Sequence, residues 1–418
     1  MFDQADRPFI KALQIVIYLL FALTLVWFIV QVIVPASSHL THGYGAYYSA
    51  SRLVYTGDYS ERVYEPEYFR NVVRSDSNNQ VEDIWPNPPT TTFFMLPIAG
   101  LPIVTARIVW TAVNIIFLFS GVSLLVWAFS PRAPLFIWLL VFTVAMLFRP
   151  VIANFMFGQA YVLMFLLLAI SVVAIERRWP ALGGVSLGAA VALKMIGWPL
   201  AILLFWLRRW RYLVILVATL AILALVSLPL TGLASWLSFS DYLPQMLDSP
   251  LVCVTAYQTM RSWLCHLLLP QVMWQEVESQ LLPWSAQVIL STTGFLMLFL
   301  SLFLARRQPT AAATALVVWG VIFAPLGEEY HQTVVLIPVI WLILLWWQGE
   351  LSSRITLLPL GLALLLYFVP FPMNQPQLQQ GWLAMLAYPR LYAAWLVWLA
   401  VMIINYPKTL MQFVRPIT

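Results

Sequence analysis

Four short stretches of the chain place proton acceptors, aromatic rings or cations where they could bind a polar ligand and move a proton. The first holds His42, Asp58 and Glu65, each able to take a proton from a hydroxyl group. Tyrosines accompany them at Tyr44, Tyr47, Tyr48 and Tyr64. Rings that stack on sugar faces beside carboxylates that accept hydroxyl protons indicate a carbohydrate site. The alternative is a solvated loop whose rings form an aromatic belt at the membrane surface.

The second stretch contains a single cation. Lys194 is the only charged residue between Arg178 and Arg208. A cation inside an apolar run is expensive in a bilayer and usually serves a function. Lys194 is therefore predicted to contact a lipid-linked phosphate as a point charge. The alternative is a lysine that reaches out to the lipid head groups.

The two remaining stretches lie further along the chain. Gln258 and Arg261 are three residues apart and share one face of a predicted helix. Arg261 could bind a phosphate or act as an interfacial anchor. A short connection between two apolar runs contains Glu328, Glu329 and His331. Acidic and imidazole groups so close together favour a functional turn.

The elements that must position these residues are membrane helices. Of the 418 residues, 62% are hydrophobic and 9% are charged, and apolar runs recur along the whole chain. A membrane-spanning helix needs about 20 apolar residues. The sequence predicts an all-α polytopic protein of about 12 transmembrane helices, with residues 1–418 forming a single membrane domain. Segment 86–102, rich in proline, is either a short crossing or a re-entrant or interfacial element.

Two features of the segment around Lys194 can be predicted more closely. Residues 179–207 lie between two arginine clusters and should form two short helices with a turn near Lys194. Gly184 and Gly188 supply small side chains for close helix packing.

The basic residues give the direction of threading. Lys and Arg collect in cytoplasmic loops, so the arginine clusters near residues 177, 208 and 306 place both termini in the cytoplasm. Segments of about 36–88 and 231–284, with shorter ones near 326–332 and 371–389, are then extracytoplasmic. They hold 13 of the 17 acidic residues. We expect a multi-pass plasma membrane protein with its chemistry on the outer face, and no nucleic acid partner despite the net charge of +5.

The chain has two cysteines and four histidines. The spacing of Cys253 and Cys265 fits no zinc motif. A disulfide is possible, but two inert thiols are the favoured expectation. No metal cofactor is expected, although a loosely held divalent cation on carboxylates stays open.

In this order, the four stretches resemble the polyprenyl-phosphate-dependent mannosyltransferases of glycosyltransferase family 87, which have the membrane GT-C fold. The resemblance covers residues 42–331 as a series of short motifs. They are Tyr44 with Tyr47/Tyr48, Gly57, Tyr64/Glu65, Pro88/Pro89, Gly158/Gln159, Lys194, Tyr257/Gln258/Thr259, and Pro325 with Glu329 and His331.

The resemblance implies a GT-C-like helical bundle and a catalytic acid directly after the first helix. Gly43 occupies that position here, beside His42. Asp58, His42 and Glu65 are therefore the candidate catalytic bases. The residues implied to bind the donor or substrate are Tyr44, Tyr47, Tyr48, Tyr64, Gln159, Lys194, Gln258, Arg261, Glu328, Glu329 and His331.

The implied reaction is transfer of a hexose, expected to be mannose, from a polyprenyl-phosphate donor to a glycolipid or glycan acceptor on the outer face of the membrane. An acceptor oxygen would attack the anomeric carbon with inversion, while Lys194 and Arg261 stabilise the departing phosphate. The alternative function is a non-catalytic lipid-linked-sugar binding protein, flippase or transporter. The chain has no internal repeat, a feature common in transporters, and this favours transfer.

Overall fold

The computed structural model describes residues 7–247, 256–268, 282–351, 354–373, 375–378 and 381–414. Within these ranges the chain is helical and contains no strand, which confirms the all-α prediction. The α-helices in these ranges are α1 (Arg7–Phe28), α2 (Val34–Ser38), α3 (His42–Thr56), α4 (Pro66–Asp76), α5 (Ile103–Phe129), α6 (Leu135–Leu147), α7 (Arg149–Phe157), α8 (Tyr161–Arg177), α9 (Pro180–Lys194), α10 (Trp198–Trp206), α11 (Trp210–Thr231), α12 (Leu233–Leu247), α13 (Met260–Leu268), α14 (Trp284–Leu304), α15 (Pro309–Ile322), α16 (Leu336–Trp347), α17 (Arg354–Phe368) and α18 (Pro389–Val414).

Among the described residues, five helical stretches are long and apolar enough to cross a bilayer. They are Lys11–Ser38, Ile103–Phe129, Trp210–Thr231, Trp284–Leu304 and Glu329–Trp347. A sixth is possible if α6 and α7, which meet at a bend of 56°, form one span. Other apolar helices, such as α9 and α15, have only 15 and 14 residues and are shorter than the usual span. The chain is thus an integral membrane protein, and the count of about 12 spans stays a prediction.

Segment 86–102 does not form a straight helical crossing. It contains two short 3-10 helices, Pro89–Phe94 and Leu96–Ile98, and residues 87–92 are buried. The hydroxyls of Thr90 and Thr91 donate to the carbonyls of Ala192 and Leu193, in the last turn of α9. Carbonyls at a helix end have no partner within the helix. This segment therefore satisfies the end of α9 and fixes the residue that follows, Lys194.

The predicted pair of short helices around Lys194 is confirmed. α9 ends at Lys194 and α10 begins at Trp198, with Met195 and Gly197 at positive φ in the break. Close packing by Gly184 and Gly188 is also confirmed. A methyl group built on them would lie 2.8 Å and 2.9 Å from the carbonyl oxygens of Tyr212 and Leu216 on α11. Glycine is required at both positions because the backbones touch.

The favoured expectation of two free thiols is wrong for Cys265. This residue is fully buried on α13 and is disulfide-bonded. The chain's other cysteine, Cys253, lies outside the described residues.

Candidate functional site

A buried cation forms the centre of the candidate site. Lys194 Nζ donates a hydrogen bond to Oδ1 of Asn87 over 2.8 Å. The same ammonium lies 4.7 Å from the ring centroid of Tyr47 and 5.3 Å from that of Tyr161. Aromatic faces attract cations at this range. Three elements distant in sequence thus hold one positive charge at the end of α9.

Two carboxylates, Asp83 and Glu328, lie close enough to Lys194 for their charges to act on it. Burial raises the pKa of Glu328 to about 7, although a hydrogen bond from the Tyr330 hydroxyl (2.8 Å) opposes the rise. Burial also raises the pKa of Asp83, against the effects of the Ile84 N–H and the charges of His42 and Lys194. A carboxylate with a pKa near 7 is poised to accept a proton at physiological pH.

Asp83 reaches the site on an extended loop that is held on both sides. Asp83 Oδ1 accepts a hydrogen bond from the Ile84 N–H over 2.8 Å. Trp85 is buried against the rings of Tyr47 and Phe69. The Tyr64 hydroxyl donates to the carbonyl of Asn87 over 2.9 Å. These contacts hold the carboxylate of Asp83 and the amide of Asn87 near Lys194.

Glu328 reaches the site on the turn between α15 and α16. The ring of the nearby His331 packs against that of Tyr161 at an angle of 42°, with the ring centroids 4.2 Å apart. The His331 N–H donates to the carbonyl of Glu328 over 3.0 Å. Burial raises the pKa of Tyr257. The charges of Glu328 and Asp83 raise this pKa further, so Tyr257 lies within the field of both carboxylates. The turn thus brings Glu328 and His331 to the Lys194 site.

Two residues that were predicted to bind substrate also hold this turn in place. Glu329 accepts a hydrogen bond from Nε of Arg390 over 2.6 Å, in an ion pair whose arginine is 1% exposed. Gln258 is fully buried, accepts a hydrogen bond from the Arg390 N–H and donates to the carbonyl of Ala387. Its own N–H donates to the carbonyl of Gly327 over 2.8 Å. Glu329 and Gln258 therefore act as positioning residues for Glu328. Arg261 lies half-buried in the first turn of α13.

Two of the predicted tyrosines are also used in packing. The hydroxyls of Tyr44 and Tyr48, both fully buried, donate over 2.7 Å to the carbonyls of Ile103 and Leu101 at the start of α5. Tyr47 lies between them on α3 and points instead to Gln159, whose Oε1 accepts its hydrogen bond over 2.7 Å. Of the tyrosines on α3, Tyr47 is the one in contact with Lys194.

Gln159 occupies the space beside Gly43. The tight turn at Gly158, which has a φ of +65°, presents Gln159 between α7 and α8. A methyl group built on Gly43 would lie 2.9 Å from Cδ of Gln159 and closer still to its Nε2. The position where the resemblance implies an acid thus has no room for a side chain while Gln159 holds this conformation.

Replacing Gly43 by alanine should displace the Gln159 amide from the Tyr47 hydroxyl. We expect this substitution to lower kcat/KM by about fivefold, the effect of one neutral hydrogen bond. Gly45→Ala, on the same helix, is the matched control, since its methyl group would meet Val81 and Val73 at 3.0 Å and 3.1 Å and would not meet Gln159. Initial rates of both variants are the measurement. Equal rates would mean that the hydrogen bond between Gln159 and the Tyr47 hydroxyl does not contribute to the reaction.

The predicted catalytic bases occupy different environments. Asp58 and Glu65 are exposed, and Glu65 pairs with Arg62 over 3.6 Å. No contact within the described ranges joins either carboxylate to Lys194. His42 is also exposed, but its Nδ1 bonds to the carbonyl of Glu82 over 2.8 Å and its charge acts on Asp83 and Glu328. Of the three, the structure brings His42 to the site.

Sequence reasoning missed Asp83, Asn87 and Arg390. Asn87 comes directly before Pro88, and a residue before proline is held in an extended conformation; Asp83 lies four residues earlier in the same loop. An acid and an amide beside such a rigid run are a usable signal. In the part of the chain that the structure describes, no group of three or more His, Cys, Asp or Glu side chains is arranged to hold a metal ion.

Comparisons with known proteins identify a family for this chain. No curated protein and no solved structure matches the chain significantly. The family model of glycosyltransferase family 87 matches residues 85–327, which is more than half of the chain. The matched region includes Asn87, Gln159 and Lys194, and it ends one residue before Glu328. The chain therefore belongs to glycosyltransferase family 87, a family of membrane glycosyltransferases.

Proposed function

We propose that this protein transfers a hexose, which we take to be mannose, from a polyprenyl-phosphate donor to a glycolipid or glycan acceptor at the outer face of the membrane. One observation carries the proposal. A cation, Lys194, lies between aromatic rings and within the field of two half-buried carboxylates, Asp83 and Glu328. A sugar phosphate needs a positive charge for its leaving group and a base for the attacking hydroxyl, and this arrangement offers both.

In the proposed step, Glu328 takes the proton from an acceptor hydroxyl. The oxygen forms a bond to the anomeric carbon while the bond from that carbon to the phosphate oxygen breaks on the opposite face, which inverts the configuration. Polyprenyl phosphate leaves with the bonding electron pair, and Lys194 stabilises its negative charge. Glu328 then releases its proton to solvent. His331, which is half-buried, supplies a ring face for the sugar, while the buried rings of Tyr47 and Tyr161 hold Lys194 in place.

Two observations support an extracytoplasmic site. The basic clusters of the sequence place the loops that carry Asp83 and Glu328 opposite the cytoplasm. Cys265, on the helix after Tyr257, is disulfide-bonded, and disulfides persist mainly in oxidising compartments. Labelling of single cysteines introduced at exposed positions such as Asp58 by a membrane-impermeant reagent in intact cells tests the orientation.

The function itself is tested on purified full-length protein in lipid nanodiscs. Radiolabelled polyprenyl-phosphate mannose is supplied with a panel of glycolipid acceptors, and labelled product is counted with and without EDTA. Transfer that persists in EDTA would show that the reaction needs no loosely held divalent cation. Donor binding without transfer across the panel would contradict the enzyme and favour a lipid-linked-sugar binder, flippase or transporter. Gly43, in place of the acid that the family resemblance implies, is the observation that keeps that second function open.

The pH dependence of transfer follows from the base. Because burial raises the pKa of Glu328 to about 7, its reactive carboxylate form is scarce below that pH and dominant above it. We expect kcat/KM to rise with pH through about 7 and to fall again above it, because burial also lowers the pKa of Lys194 to about 7 and a neutral lysine no longer stabilises the leaving phosphate. A pH profile of initial rates measures this, and a flat profile between pH values of about 5 and 8 would exclude Glu328 as the base.

A further inference from the structure

A cavity of about 340 Å³ lies beside α1, apart from the Lys194 site. Its lining includes Trp27, Gln31, Arg149, Met156 and Glu329. Trp27 and Gln31 are exposed, so the cavity opens at the surface of the helical bundle that would face the lipid. None of the roles assigned above uses Gln31 or Arg149.

Arg149 places a cation at the bend of a candidate membrane span. It begins α7, directly after the 56° break that separates α7 from α6. Its Nε is buried and makes no hydrogen bond to any part of the chain that the structure describes. Cations within membrane spans are costly to insert and usually mark a functional site. The position therefore indicates a ligand that supplies negative charge.

Gln31 adds a hydrogen-bonding amide to the same cavity. It lies in a π-helical segment, Ile29–Ile33, that interrupts the first membrane span. Such segments occur often at functional sites. No other polar side chain stands between Thr24 and Ser37. An amide turned outward from an apolar helix is unfavourable unless a polar group meets it.

The depth of Gln31 matches that of a phospholipid head group. The first span, Lys11–Ser38, has 28 residues, so it is about 42 Å long, close to the full bilayer thickness with head groups. Gln31 lies seven residues from the end of this span, about 10 Å along its axis. That depth is near the boundary between the head groups and the hydrocarbon.

The charge of the cavity favours an anion. Glu329 contributes a carboxylate, but it is paired with Arg390 over 2.6 Å and is therefore neutralised. Arg149 remains as the uncompensated charge among the described lining residues. A guanidinium beside an amide matches the oxygens of a phosphate group.

We propose that this cavity binds the phosphate of a membrane phospholipid, with Arg149 and Gln31 donating hydrogen bonds to its oxygens and the acyl chains lying along α1.

Native mass spectrometry of the purified full-length protein tests the binding site without any transfer reaction. The probes are phosphatidylglycerol and a diacylglycerol with the same acyl chains, which lacks the phosphate. We expect the wild-type protein to retain phosphatidylglycerol about tenfold more tightly, and Arg149→Gln to abolish the difference. Arg149→Lys should restore part of it. Arg132→Gln, at an exposed arginine outside the cavity, is the control and should behave as wild type.

Unchanged phosphatidylglycerol retention in Arg149→Gln would overturn the proposal. If that variant cannot be purified, Gln31→Leu replaces it, and wild-type retention there has the same meaning. Displacement of the lipid by millimolar inorganic phosphate would show a free-anion site and overturn the assignment to a lipid. Because no sugar donor is present, these results stand whether or not the proposed transfer is demonstrated.

Discussion

Replacing Glu328 by glutamine is expected to lower kcat for sugar transfer by about 10²- to 10⁴-fold, the usual contribution of a general base. The amide keeps the size of the side chain and can still accept the hydrogen bond that the Tyr330 hydroxyl donates. Donor affinity should therefore change little. Initial rates at saturating donor and acceptor, together with donor binding measured separately, give the two quantities.

Three other carboxylates serve as comparisons for this variant. Asp83→Asn should have a smaller effect than Glu328→Gln, because in our mechanism Asp83 acts on the charge of Lys194 and takes no proton. Glu65→Gln and Asp58→Asn alter exposed side chains and should retain near wild-type rates. A loss confined to Asp58→Asn or Glu65→Gln would move the base to the exposed loop. A loss confined to Asp83→Asn would identify Asp83 as the base.

Replacing Lys194 by methionine is expected to lower kcat/KM by about 10²- to 10³-fold, the typical effect of removing one group that stabilises developing negative charge. Methionine fills most of the same space but carries no charge over the rings of Tyr47 and Tyr161. Donor affinity should fall as well, because the ground-state phosphate is already charged. Binding of polyprenyl phosphate and single-turnover rates separate the two effects.

Lys11→Met is the matched control, since Lys11 is exposed at the opposite end of the first span and should be replaceable without loss. A second comparison is Asn87→Ala, which removes the hydrogen bond to Lys194 but leaves its charge. Its effect should be smaller than that of Lys194→Met. Unchanged donor binding in Lys194→Met would place this lysine among residues that serve only folding or insertion.

Local features of this protein could be predicted from its sequence. The break at Lys194 follows from one cation, a glycine and a proline in an apolar run, and the contact of Gly184 and Gly188 with α11 follows from small residues four positions apart. Both are visible within 30 residues of sequence. The all-helical architecture follows from the composition, because a chain with 62% hydrophobic residues in recurring apolar runs must cross a bilayer as helices.

The arrangement of the site could be predicted only in part. Tyr47, Lys194, Glu328 and His331 were identified from their types, and Gln159 from the family resemblance. Their neighbours depend on contacts between distant segments. Nothing local indicates that Arg390 pairs with Glu329, or that Thr90 and Thr91 bind the end of α9. The choice between a binding role and a packing role for Gln258 likewise requires knowing which carbonyls surround its amide.

The separation of Asp83 and Glu328 along the chain has a consequence for biosynthesis. Both acids act on Lys194, yet Glu328 is translated 245 residues after Asp83. At about 5 to 20 residues per second, some 12 to 50 s pass between them on the ribosome. A nascent chain that already carries Asp83 and Lys194 in the membrane thus lacks its proposed base until the helix before Glu328 has been inserted, so donor lipid met during synthesis would not be consumed.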